Sequence, residues 1–271
     1  MTASVLRKFY SLAISAFDKA LCELFIGAFF FAMRSCEYVK VQGTRRTKLL
    51  TLRNIKFLRG RRSLAHADTN LQNADCVSIT FEFQKKESKG DTITQHRSSD
   101  PILCPVKVWS RVVQRIHNYN NSSPDTSVNY FVYPDSTTHH FSGKELLHRI
   151  RLAAATLGEQ ELGFDPKRLG LHSARSGAAM AMYLAGVPVF TIMLLGRWSS
   201  DAFLRYIRKQ VQEFSKGVSQ KMISNERFFT ISSDTRSPSS SSNRSLISNI
   251  GSNFKDTIRP LANVFRQKSV Y

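Results

Sequence analysis

Five side chains in this sequence combine types and spacings that could act on a phosphate. His172 and Arg175 stand three residues apart in LHSARSGAAM. Trp198 follows Gly196-Arg197, and Tyr206 comes eight residues after Trp198 with Arg205 and Arg208 around it. Arg34 lies far upstream, at the end of the apolar run LFIGAFFFAM. Guanidiniums clamp non-bridging phosphate oxygens through forked, charge-assisted hydrogen bonds. A tyrosine phenol has a reference pKa of about 10, so as a nucleophile it needs a base, which an imidazole supplies. An indole N–H is a further donor. Each residue also has an ordinary structural reading. Glu37 is placed to pair with Arg34 at a helix end, a lone histidine is commonly a satisfied polar residue, and Tyr206 borders an apolar stripe. Their common order in a very basic chain favours chemistry on nucleic acid.

Composition narrows the partners. The 271 residues carry a formal charge of +19 and a pI near 10.1, which points to a polyanion. The excess is concentrated. Lys40, Arg45, Arg46, Lys48, Arg53, Lys56, Arg59, Arg61 and Arg62 follow one another without an Asp or Glu between them. A solvated face or a targeting signal would account for such a run, but its density favours phosphate contact. Cys22, Cys36, Cys76 and Cys104 form no C-x-x-C pair and have no histidine at zinc spacing, so they read as reduced thiols of an intracellular protein. Leu24 to Met33 is too short to span a bilayer. Arg7 and Lys8 before FYSLAISAF imitate a signal peptide, which Asp18 and Lys19 interrupt. No Gly-rich phosphate loop, metal-ligand cluster or internal repeat stands out, and no cofactor is expected.

The elements that must position these residues alternate between helix and strand. Residues 4–33 are predicted helical, apolar almost all round from Leu21 onward and therefore buried. Leu49–Leu52, Ile55–Leu58 and Val77–Phe83 are candidate strands, the last with clean alternation. QKKESKGDTITQHR reads as a hairpin with Lys85, Lys86 and Lys89 at its tip. Pro101 and Pro105 bracket a break before a helix from Val106 to His117. A polar loop at 118–128 and a short buried strand at Tyr130–Tyr133 follow. Ser142 and Glu145 form a capping box for the next helix. His172 and Arg175 share one helical face, Pro188 starts a helix that ends at Gly196, and Ser199–Asp201 cap another whose buried stripe is Phe203, Ile207, Val211 and Phe214. The fold class is mixed α+β, mainly helical, with a small antiparallel sheet on one edge. Residues 1–228 form the folded domain, and 229–271 are a Ser-rich, largely disordered tail with a possible short C-terminal helix at 254–264.

The pattern resembles the catalytic domain of tyrosine recombinases, the phage-integrase family, over roughly residues 20–215. AMRSCEY matches the family's first arginine in its R-x-x-E setting. FQKKESKGD matches the hairpin lysine, LHSARSG the H-x-x-R helix, LLGRWSS the histidine or tryptophan after glycine, and FLRYIR the nucleophilic tyrosine. HSARSGAAM and LGRWSSDAFLRYIR are most similar to recombinases of Crypton-type and DIRS-type mobile elements. By residue type Trp198 fits the fifth position, by spacing Arg197 does, and Trp198 is preferred. Lys86 is preferred over Lys85 and Lys89.

The resemblance implies a reaction. Arg34 and Arg175 would clamp the scissile phosphate, His172 would take the proton from Tyr206, and Trp198 would donate to the phosphate or hold the site in shape. Lys86 would protonate the departing 5′-hydroxyl. The product is a 3′-phosphotyrosyl bond, reversed by the hydroxyl of a second strand. Neither ATP nor a metal is required. Arg45, Arg46, Lys48, Arg53, Lys85, Lys89 and Arg197 are expected to contact DNA. Family members usually carry a core-binding domain before the catalytic one; only some twenty residues precede the buried helix here, so a fragment or decayed copy is expected, with strand exchange in doubt. Double-stranded DNA is the implied partner, with self-association into a tetramer on DNA, no membrane and a nuclear location. A recombinase-derived DNA-binding protein without strand transfer, or a type IB topoisomerase-like relaxase, are the alternatives.

Overall fold

Residues 4–33, expected to be helical throughout, divide at Ala13-Ile14. In a computed structural model that describes residues 1–41, 48–82 and 90–198, α1 (Ala3–Leu12) and α2 (Ala16–Phe30) are separate helices. The break is local chemistry. The Ser15 side chain accepts a hydrogen bond from the Asp18 N–H at 3.0 Å and restarts the helix. Ile14 is left 83% exposed at the corner, an apolar residue that the periodicity had absorbed into one continuous helix. All described residues fall within the first of two units, Met1–Lys216 and Gly217–Tyr271.

The architecture is mixed α+β. Among the described residues are eight α-helices and a small antiparallel sheet. After α2 comes the single turn α3 (Ser35–Tyr38). The strands β1 (Ile55–Arg59), β2 (Arg62–Leu64), β3 (Cys76–Phe81) and β4 (Asp91–His96) make one sheet in the order β2-β1-β3-β4. Leu49–Leu52, a candidate strand, contributes only a bridge from Thr51 to Ser127 before a 3₁₀ turn at Leu52–Asn54. The Thr51 hydroxyl and N–H both bond the Asn54 side chain, which turns the chain instead of extending it. β3 and β4 pair from Cys76↔His96 to Phe81↔Asp91, so residues 82–90 connect two hydrogen-bonded strands.

Alternation sets the two faces of the sheet. Ile55, Phe57, Val77, Ile79 and Ile93 point into the core. Lys56, Ser78, Thr80, Thr92 and Thr94 line the other face, where Ser78 bonds Thr94 at 2.7 Å and Thr80 bonds Thr92 at 2.9 Å. The core lies between this sheet, α2 and α4 (Pro105–His117). Trp109 of α4 is fully buried, and Gly27 of α2 lets it approach; a Cβ built at Gly27 would lie 2.8 Å from the indole.

The second half of the chain completes the helical side. A two-stranded hairpin, β5 (Tyr130–Val132) and β6 (Thr138–His140), precedes α5 (Gly143–Leu157), whose predicted capping box is present. A short α6 (Glu159–Leu162) leads to α7 (Ser173–Leu184), which contacts α2, and then to α8 (Val189–Gly196). No helix among the described residues is long and apolar enough to cross a membrane. The predicted helix after Ser199 and the tail lie outside the described residues.

The contact of Gly27 with Trp109 is a tight constraint on the core. Gly27→Leu should force α2 and α4 apart and cost about 1–3 kcal/mol or more, measured by chemical denaturation of the full chain.

Candidate active site: arginines around one turn

The chain leaves α2 through a left-handed residue. The Ala32 N–H donates to the Phe29 carbonyl at 3.0 Å and the Met33 N–H to the Ala28 carbonyl at 3.0 Å, a Schellman closure with Ala32 at φ +43°. Such a position favours glycine, because a Cβ crowds the following carbonyl. The same closure ends α7 with Gly186 at φ +75° and α8 with Arg197 at φ +54°. Two of the three carry a side chain where glycine would be easier, and both of those lie at the candidate site.

Arg34 follows two residues after Ala32 and caps α3. Its N–H donates to Glu37 Oε2 at 2.8 Å and its Nη1 to Glu37 Oε1 at 3.1 Å. The sequence-level pair with Glu37 is therefore present, but it is only part of the arrangement. Arg197 Nη2 donates to the same Glu37 Oε2 at 2.9 Å, from 160 residues away. The Arg197 side chain is 0% exposed and that of Glu37 2%, so this contact is a buried ion pair. The far face of the Arg197 guanidinium lies 3.3 Å from the centre of the Phe81 ring, at the end of β3. Burial holds the Arg197 pKa below its usual value, with Glu37 acting in the opposite direction and Arg34 adding to the depression. Arg197 Nε and Nη1 are buried without a hydrogen-bond partner among the described residues.

Arg175 reaches the same place from α7. It donates to the Ala32 carbonyl, 143 residues away in sequence, and to the Gly196 carbonyl at 2.6 Å. These are carbonyls at the ends of α2 and α8, where backbone acceptors lack helical partners. The Trp198 ring covers the guanidinium at 4.2 Å. Gly196 leaves room for that indole; a Cβ there would lie 1.5 Å from it. Of the two residues that the resemblance left in competition, Trp198 lies on Arg175, whereas Arg197 lies on Glu37.

The structure thus brings together Arg34, Arg175, Arg197 and Trp198 around residues 32–37. Three guanidiniums gather around one hydrogen-bonded carboxylate, with Asp91, the cross-strand partner of Phe81, acting on Arg197 as a second negative charge. His172 is the N-cap residue of α7, one turn before Arg175, with its side chain exposed to solvent. Arg197, expected among the DNA-contacting residues, is seated in the interior. Arg53, also expected on DNA, is exposed but paired with Asp125. Lys48 is exposed and lines a cleft of about 200 Å³ with Glu37, Phe81, Asn54 and Glu82. Tyr206, Lys85, Lys86, Lys89, Arg45 and Arg46 lie outside the described residues. Sequence reasoning read Glu37 as a partner of Arg34 alone and missed Phe81. A carboxylate shared over 160 residues leaves no local spacing to read.

The chain matches no protein-family model, and no curated protein matches it.

Removing the shared carboxylate should leave Arg197 buried beside Arg34 without compensation. Glu37→Gln is expected to lose about 3–5 kcal/mol of stability. Glu37→Gln combined with Arg197→Met should recover a large part of that loss, because the stranded charge goes with it. Denaturant titration of the wild type, both single variants and the double variant measures the coupling.

Proposed function

We propose that this chain is the catalytic part of a DNA breaking-and-rejoining enzyme. Tyr206 attacks a phosphodiester and forms a 3′-phosphotyrosyl bond, in the site-specific recombination or integration of a mobile element. The observation that carries the reading is the gathering of Arg34, Arg175 and Arg197 at the turn after α2. Arg175 binds the carbonyl of Ala32, two residues before Arg34, and the backbone beside Arg197, which shares Glu37 with Arg34. Guanidiniums distant in sequence and gathered at one turn suit a doubly charged, phosphorane-like transition state. Fixing them beforehand on carbonyls and a carboxylate removes reorganisation from the chemical step.

The roles follow from position. Arg34, one quarter exposed, is the guanidinium best placed to meet a phosphate oxygen directly. Arg175 supplies a second charge, held flat beneath Trp198. His172, at the exposed start of α7, takes the phenolic proton. Lys86, in the segment of sequence that joins β3 to β4, returns a proton to the leaving 5′-oxygen. The order of the sequence motifs supports the assignment of Tyr206 and Lys86. Double-stranded DNA is the substrate, and the charge of +19 supplies its attraction.

A second reading, DNA binding without strand transfer, draws on the burial of Arg175 and Arg197. The two part on a covalent product. On a nicked suicide duplex the intact chain should form an adduct that resists denaturation and is absent in Tyr206→Phe. Arg34→Gln should slow its formation by roughly 10²- to 10³-fold. No adduct from the intact chain, or one that persists in Tyr206→Phe, would sink the reading and leave binding alone.

A further inference from the structure

The sheet carries a second cationic centre that the phosphate chemistry does not use. β1 and β2 pair through Arg59↔Arg62, with Gly60 at φ +57° in the first position of a two-residue turn. Arg59, Arg61 and Arg62 are all exposed. Asp75, at the start of β3, ties this turn to the end of β4: its carboxylate accepts from the Gly60 N–H at 2.6 Å, and its carbonyl accepts from the Arg97 N–H at 2.8 Å. Arg97 is exposed as well. Four exposed arginines therefore lie in the two segments that Asp75 ties together through backbone hydrogen bonds. None of the four is paired with an acidic side chain among the described residues.

This centre lies at the opposite end of β3 from the candidate active site. Arg197 packs on Phe81, at one end of the strand; at the other, Cys76 pairs with Leu58 and His96, the residues next to Arg59 and Arg97. Five residues of extended strand separate them, about 17 Å at roughly 3.4 Å per residue. A duplex advances about 3.4 Å per base pair, so the separation corresponds to about five base pairs.

We propose that the β1–β2 ribbon is a docking surface for duplex DNA flanking the cleaved phosphate, with Arg59, Arg61, Arg62 and Arg97 as its phosphate contacts. The inference rests on the DNA reading above and adds a surface to it. Three features select nucleic acid. The cluster is made of arginine, whose planar fork matches phosphate oxygens at two points. It is borne on the β1–β2 turn at the outer edge of the sheet, which extends past the last β1–β3 pair at Leu58 and so stands clear for a duplex to approach. The single carboxylate holds the turn and leaves the guanidiniums outward.

The test is the salt dependence of DNA affinity for the full chain, measured by fluorescence anisotropy on a 30-base-pair duplex. Each phosphate that is no longer neutralised should lower the slope of log K against log[salt] by about 0.9. Arg59→Gln/Arg61→Gln/Arg62→Gln should lower it by roughly 2 to 3 at unchanged melting temperature. The corresponding triple lysine variant should keep most of the slope. A glutamine variant with the wild-type slope would overturn the proposal, as would a lysine variant that falls as far as the glutamine one. Failure of the cleavage reading registers separately. A wild type without a Tyr206-dependent adduct whose slope still depends on these arginines removes the chemistry and retains the surface.

Discussion

A buried carboxylate that holds two guanidiniums is the constraint on which the rest of this structure depends. Arginines close together repel, at about 4 kcal/mol for unit charges 4 Å apart at a surface-like effective dielectric of 20. Taking them out of water adds a desolvation cost. Glu37 relieves both for Arg34 and Arg197, and two backbone carbonyls orient Arg175. The carboxylate is itself built in by the fold. It accepts from the Arg34 N–H as the capping partner of α3, while the Glu37 carbonyl accepts from the Leu50 N–H. The end of α2, the end of α8 and the edge of the sheet at Phe81 are therefore fixed by one small group of interactions.

The backbone carries the corresponding strain. A non-glycine residue in the left-handed region costs about 1–2 kcal/mol. Gly186 avoids that cost at the end of α7, away from the arginines. Ala32 and Arg197 do not, and each gives something that the left-handed geometry provides. At Ala32 the turn aims a carbonyl at Arg175. At Arg197 it aims the side chain inward to Glu37 and Phe81. Glycine at 197 would ease the backbone and remove the guanidinium, so the strain is retained for the ion pair. Strain of this kind concentrates where geometry matters more than stability.

The helices and main strands were legible in the sequence because their signals are local. The Ser142–Glu145 capping box, Pro188 ahead of α8, and the alternation of β3 each lie within a few residues. The single helix over 4–33 was wrong in one place, where Ser15 and Asp18 override the apolar period. Leu49–Leu52 looked like a strand by composition, yet Thr51 and Asn54 turn the chain. β2 and β6, of three residues each, were too short to carry a period. At the site, type and order had singled out Arg34, Arg175 and Trp198, which the structure places around one turn. The role of Arg197 was not legible, because its partners come from α3 and β3 and its inward direction depends on a positive φ that nothing in LLGRWSS announces.

The two sets of arginines respond to solvent in different ways. Arg175 and Arg197 are shielded, so mobile ions screen their interactions little, and their placement persists across salt concentrations. The arginines of the β1–β2 turn stand in water, where a Debye length near 10 Å at about 0.1 M salt limits their reach. On the proposed reading, affinity for a polyanion varies steeply with salt while the geometry around Glu37 does not. One carboxylate serves each centre to different effect. Glu37 neutralises guanidiniums inside, whereas Asp75 engages the Gly60 N–H and leaves its arginines charged outward. The same residue types thus give a buried centre that salt leaves unchanged and an exposed one that salt screens.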